Sequence, residues 1–581
     1  MNIATKWAFV GSLIVLLDAA AACSDSSSKS NRDGTVAGDG AWDAQVTTDS
    51  ETGKDAQSGD AATDCGREPI CEATAGHHCY YVAPDGNDDA SGSIEAPFAT
   101  IQHGVDVMDP GDYLYLRGGT YHEYSINLRG KQGSEDAWFT IKSYPCEWAK
   151  VDAQHAEPDQ GINVFQSSSA HEYAPTYWRF EHFEVTGGGP PLEGNSYDDI
   201  QSIRGAGFFF WPGYHMQFRS MYVHDNYGGG GPNGGAGIKF QNEGGTAVHH
   251  VVIEHCHISG NGWPGSDNHN LGNIIFFSDY VQDPADVDID VCMHDNVIAY
   301  NLVENSATGF KTKNDQQLVR DNSGQDMEAK DRGNEIHHNI FRHHSSIGIW
   351  AAQDFAQIHH NIVDDATSGI LSGKPPSNGS RESFYVVVYN NLVVHSGNGG
   401  SISLYHGSED TPKNYMTEPW HPFWFVFNNV IESGADGNGH NDINVLFSWA
   451  EHQVDMDTVH IDHNFFYPRS QDDPVINMAD DANDYSVAQY EAAGWADDLY
   501  AHEQISDDPL HPADSPYKLR IEHSVEGSTT IGNGGLNAPH PYLPGVTIPA
   551  YLGPCDKDDC SWIDDVESLS DPANLMETHR P

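Results

Sequence analysis

A chain of 581 residues with 28 Lys+Arg against 85 Asp+Glu, a net charge of −57, repels polyanions at long range. Nucleic-acid binding, which draws its affinity from cationic side chains that release phosphate counterions, is thereby excluded as a function class. Only 19% of the residues are charged, while 58 Gly, 30 Pro, 13 Trp, 26 Tyr and 23 Phe supply turns and a core, which points to a turn-rich all-β protein and not to a helical or disordered one.

In chain order, Lys6 precedes an apolar run, Trp7 to Leu17, that is too short to span a bilayer. Residues 1–22 read as an export signal. The Ala-Ala-Ala-Cys string that ends it resembles a bacterial lipobox, which implies lipidation of Cys23; ordinary cleavage after small residues is the alternative. Residues 23–64 are rich in Ser, Asp, Gly and Ala. They hold too little apolar surface to fold and read as a tether. Eight further cysteines in an exported chain suggest bridges. Cys65, Cys71, Cys79 and Cys146 can form two around the start of the folded region. Cys555 and Cys560 can close a short loop in a C-terminal tail, 546–581, whereas Cys256 and Cys292 are expected to stay apart.

Residues 65–545 read as one repeat array. Alternating openers such as Gly237-Ile238-Lys239-Phe240, Gly309-Phe310-Lys311-Thr312 and Gly348-Ile349-Trp350-Ala351 recur with closing residues. The closers are Asn226, Cys256, Asn296, Asn339, Asn361, Asn391, Asn429 and Asn464, and they come no nearer than 22 residues, with irregular excess. A coil of short strands gives this pattern: each turn needs that minimum, surplus residues leave as loops, and each Asn bonds to those above and below. In this register His294, His337 and His359 fall at one position on consecutive turns.

The segment Tyr80 to Glu123, with its strand, Gly/Asp loop, helix over Ile101 to Met108 and strand ending in Arg117-Gly118-Gly119-Thr120-Tyr121, resembles the opening of exported members of the pectate-lyase-like, right-handed parallel β-helix superfamily. The resemblance implies a single right-handed parallel β-helix solenoid with an N-terminal cap helix and long loop insertions. That fold houses lyases, hydrolases, epimerases and adhesins, so function must be argued from the site.

The alternation predicts Ile238, Phe240, Phe310 and Thr312 inside, and Lys239, Gln241, Lys311 and Lys313 outside. With strands about 4.8 Å apart, Lys239, Lys311 and Lys313 can form a cationic patch, walled by Trp350 as a flat surface for a sugar ring. Such a patch suits β-elimination of a uronic-acid polysaccharide. The reaction needs neutralisation of the C6 carboxylate and a base for the C5 proton, and a lysine with a lowered pKa can serve. Some calcium-dependent β-helix lyases use a lysine base; the resemblance maps that role to Lys311, with Lys239 and Lys313 as electrostatic partners. The chain carries neither the Asp-Asp-Gly calcium motif nor the spaced Glu-x-Glu and Lys-Ser of two such lyase groups. Gln241 and Arg320, the latter in the insertion 314–333, are expected to bind substrate. Asp286, Asp288 and Asp290 alternate with apolar residues and offer oxygen ligands for Ca²⁺, with Asp267, Asn268 and Asn270 as a weaker set; a solvated strand face and a capped loop are the competing readings. Neutral imidazoles in a column are transition-metal ligands in principle, but nothing in the pattern supplies a tetrahedral set, and a solvent-facing stack is the favoured reading. A glycoside hydrolase using Asp364-Asp365 is the catalytic rival. The reading is therefore a cell-surface or extracellular polysaccharide lyase with a polysaccharide partner, possessing no nucleic-acid partner, touching the membrane only through a lipid on Cys23, and monomeric. A non-catalytic glycan-binding or adhesion protein is the alternative.

Overall fold

The computed structural model describes residues 76–494, apart from 156–161, 169–170, 197–202, 230–234, 243–247, 279–292, 314–333, 353–355, 374–385, 398–399, 407–423, 434–441, 448–457, 468–471 and 479–483. It also describes 500–501, 538–539, 547–548, 552–555 and 560–577. Cys23, Cys65, Cys71, Cys292, Asp286, Asp288, Asp290 and Arg320 lie outside these residues, as do the signal and the tether.

Period-two alternation puts one side-chain set inside every strand, and the strands stack in parallel. The first stack is a twelve-stranded sheet running from Cys79–Val82 and Tyr113–Leu116 through Thr176–Glu181, Tyr214–Arg219 and Glu335–His337 to Val459–Asp462. A second stack includes Phe183–Thr186, Tyr222–His224, His257–Ser259 and Phe465–Tyr467, and a third includes Gly205–Trp211, Ala236–Asn242, Gly272–Ser278 and Ile443–Phe447. Three long strands, Leu302–Lys313, Ile340–Ala351 and Ile362–Ser372, run through both. The architecture is the expected parallel β-helix.

Its bore is filled by the inward set. Ile238, Phe240, Ile274, Phe276, Phe310 and Ile349 are fully buried, and Phe240, Phe276 and Phe310 follow one another edge to face at 5.3 and 5.6 Å. Each such side chain contributes about 1.5–3 kcal/mol of burial. At the start of the coil Thr100 caps the helix Ile101–Val107, and the Glu123 carboxylate accepts from its first amides, Ile101 and Gln102, at 2.7 and 3.2 Å. The Arg-Gly-Gly-Thr-Tyr string earns its place here: Arg117 pairs with Glu147 and the Tyr121 hydroxyl lies 2.9 and 2.7 Å from the carbonyls of Val82 and Arg117.

The asparagine ladder is real, but its membership differs from the sequence reading. The side-chain amide of Asn301 donates to Asn339 at 2.9 Å, and the chain continues through Asn361, Asn391, Asn429 and Asn464 at 2.9–3.1 Å. Cys256 joins through its backbone amide, 2.9 Å from Asn301 Oδ1. Asn226 instead stacks on Asn261 and Asn273, and Asn296 on Asn334. The coil has several corners that each demand a buried amide, and Asn296 and Asn301 serve two of them five residues apart. That shift also corrects the histidine column. His337 pairs in register with His359, but Ala299 stands behind His337, while His294 bridges to His249.

Cys79 and Cys146 each take part in a disulfide, and Cys555 is bridged to Cys560. Cys256 is free and buried, its thiol pushed up to about 12 by burial. Within the expected tail, the helices Ser561–Ser568 and Pro572–Glu577 place Trp562, Ile563, Val566, Leu569 and Leu575 against Leu302, Ile340, Ile362, Leu392, Val430 and Phe465. Those six residues face outward from the second stack, so the tail serves as its cover.

Candidate functional site

The outward column of the third stack carries the chemistry. Strand pairing aligns Gln166, Phe209, Lys239, Ile275, Lys311, Trp350, Leu371 and Ser403 on successive turns. Lys239 and Lys311 thus share one face as expected, but Ile275 separates them, a spacing of about 10 Å over two strands. Lys313 pairs by its backbone with Phe277, and so does Gln241, which places both on the parallel column two residues along.

Neither described lysine is a solvated edge residue. Lys239 is 2% exposed and Lys311 1%; over Lys311 the chain around His269 and Asn270 folds back across the column. The Lys311 ammonium donates to the His269 carbonyl at 3.0 Å and to Asn270 Oδ1 at 3.1 Å, and stands 3.8 Å from the centre of the Trp350 ring. An ammonium over an indole face is held by the ring quadrupole. Trp350 is itself fixed by its Nε1–H, which donates to the Gly373 carbonyl at 2.6 Å, and by the His269 ring edge at 5.1 Å. Lys239 lies 5.9 Å from the centre of the Phe209 ring. Gln241 is buried beside this column.

The roof explains the weaker candidate ligands. Asn268 Oδ1 accepts from the Asn270 amide at 3.0 Å, and Asn270 Oδ1 takes the Lys311 ammonium. Asp267 is exposed. Of the three, Asn268 thus shapes the loop and Asn270 holds a lysine ammonium.

Sequence reasoning missed Phe209, His269 and a charged cluster where the second stack turns into the third. There Glu304 accepts from Arg342 Nε at 2.6 Å and lies 3.0 Å from His257 Nε2. Burial pushes its carboxyl upward, but the hydrogen bonds from His257 and Arg342 outweigh this and hold it down at about 2. The register Ser259–Glu304–Arg342–Asp364 was the available signal. Asp364 and Asp365 do not form an isolated carboxylate pair: Asp364 lies 2.8 Å from His395 Nδ1, and Asp365 lies 3.0 Å from His343 Nδ1. His344 is buried nearby and held at about 4, chiefly by desolvation.

A parallel coil with a lysine and an indole stacked under a loop is the architecture of a parallel β-helix. More narrowly, residues 80–269 match the family described as the Pel9A-like, right handed beta helix region. The chain is 34% identical over 113 residues to pectate lyase PEL9 of Emericella nidulans (strain FGSC A4 / ATCC 38163 / CBS 112.46 / NRRL 194 / M139), a match spanning 19% of this chain and 28% of that enzyme. Among solved structures, it is similar to a GH136 lacto-N-biosidase from Eubacterium ramulus, at 16% identity and TM-score 0.42, over 69% of this chain and 67% of the other. Pectate lyase Pel9A is similar at 16% identity and TM-score 0.32, over 68% and 82%.

Proposed function

We propose that this protein is an exported, carbohydrate-active β-helix protein, held at the cell surface through Cys23, that cleaves uronic-acid-containing polysaccharide by β-elimination with Lys311 as the base. The observation that carries this reading is the Lys311 side chain held against Trp350 in a column that also bears Lys239. Trp350 would stack on a sugar ring, and Lys239 would answer the uronate charge that the acidic chain otherwise repels. The sequence match to a pectate lyase supports the substrate class. In this reading substrate lifts residues 264–270 and takes over the Lys311 contacts now made by His269 and Asn270. Calcium dependence belongs to the same proposal through Asp286, Asp288 and Asp290, with Arg320 on the substrate side.

The enclosure of Lys311, 1% exposed beneath that segment, favours a second reading: a surface protein that holds glycan without cutting it. Absorbance of unsaturated uronate products, measured on pectate, alginate and glycosaminoglycans with and without Ca²⁺, separates the two. Lys311→Ala should lower turnover about 10²–10⁴-fold, the usual scale for a lost general base. Equal silence of wild type and Lys311→Ala on every substrate ends the lyase reading, and glycan binding without shortening of the polymer establishes the second.

A further inference from the structure

At the corner leading into the first stack, three successive turns gather His215, His249, His250, His294 and Asp295. His215, His250 and Asp295 share the left-handed backbone conformation, with φ of 52°, 53° and 54°, which brings equivalent side chains into line along the coil. His215 stacks on His250 at 4.3 Å and His249 on His294 at 4.9 Å. The two stacks meet edge to face, with His249 Nδ1 2.8 Å from His250 Nδ1. A nitrogen–nitrogen contact of that length needs one hydrogen between the two atoms; two imidazolium rings would set N–H against N–H. Asp295 Oδ2 lies 2.8 Å from His294 Nδ1 and 3.6 Å from His250 Nε2.

One ligand atom from each of His215, His249 and His250 lies within 4.8 Å of the others, and the same holds for His250, His294 and Asp295. Around a tetrahedral ion with bonds of about 2.1 Å, ligand atoms stand about 3.4 Å apart, so ring rotations of about an ångström close either shell. All five side chains are half-buried, which leaves a path from solvent. Another histidine triad among the described residues, His338, His359 and His360, is buried, already has the Glu335 carboxylate 3.0 Å from His359 Nε2, and has the Trp562 ring against His338.

We propose that this corner binds one late first-row divalent cation, with Zn²⁺ the fitting choice, through His250, His294 and Asp295, and with His249 and His215 completing its surroundings. Imidazole and carboxylate ligands suit that class of ion, and the Asp295 charge offsets part of its own. The site is independent of the Lys311 column.

The test is calorimetric titration of the chelator-stripped full chain with zinc chloride, together with zinc-edge X-ray absorption. Wild type should bind one equivalent in a shell of nitrogen and oxygen atoms. His250→Ala should weaken binding at least about 10-fold, Asp295→Asn less, and His360→Ala not at all. Absence of saturable binding overturns the proposal, as does binding that survives Asp295→Asn and His250→Ala but is lost in His360→Ala. Should His250→Ala not fold, Asp295→Asn and the wild-type absorption spectrum decide, and a shell without histidine nitrogens refutes the site.

Discussion

Two outward faces of this coil are buried in different ways. The column Leu302, Ile340, Ile362, Leu392, Val430 and Phe465 is sealed by apolar side chains of the C-terminal helices. The Lys311–Trp350 part of the other column is covered by a polar loop whose oxygens hold an ammonium. Apolar cover is stabilised by the area it removes from water, with nothing in solution to replace it. A polar roof makes contacts that water or a hydroxylated, anionic ligand could reproduce, so its net hold is small. The first arrangement builds a wall and the second a door.

The contrast can be tested by removing one contact from each cover. Trp562→Ala should cost about 3–5 kcal/mol, the range for truncating a buried aromatic, seen as a lowered denaturation midpoint. If it changes stability no more than a surface substitution, the helices are not a structural seal. The charged corner between the two faces should respond next. Glu304, held at about 2 when folded against an ordinary 4.5, contributes stability that is present above pH 4.5 and lost as pH falls toward 2. The loss is about 3 kcal/mol in wild type and absent in Glu304→Gln, and acid titration of the denaturation midpoint measures it. Lys311→Met keeps the stem but strips two loop oxygens of their donor, for about 1–2 kcal/mol and faster proteolysis within 264–270. An effect as large as that of Trp562→Ala would make the roof a second wall. The smallest change should come from Asp365→Asn at the exposed His343 pair, whose side chains are 52% and 68% exposed; less than about 0.5 kcal/mol is expected from the same midpoint measurement.

The coil itself was legible because its signals are local. Alternation in Gly237–Phe240 or Gly309–Thr312 names the inward residues without knowledge of their neighbours, and the Arg-Gly-Gly-Thr-Tyr string marks the first turns. Register between turns was less legible, since Asn296 and Asn301 are equally good corner residues and only the stacking separates them; the misplaced His294 follows from that ambiguity. The roof over Lys311 was hidden for a different reason. His269 meets Lys311 across 42 positions of sequence, and no periodicity reports how a loop folds back. The two lysines could thus be placed on one face but not known to be buried. The C-terminal helices escaped likewise, because a short amphipathic segment does not announce which surface it will cover.

The asparagine ladder carries a further consequence. Each amide nitrogen donates toward the following turn and each amide oxygen accepts from the preceding one, so the row from Asn301 to Asn464 has a direction, like beads threaded one way. Its step stays at 2.9–3.1 Å between partners, although the intervening chain ranges from 22 to 38 residues. The interior thus keeps a constant gauge while the exterior varies freely in length. Evolution, or a designer, can lengthen any loop or splice in a whole extra turn without disturbing the rungs on either side, provided that the newcomer brings its own asparagine facing the same way.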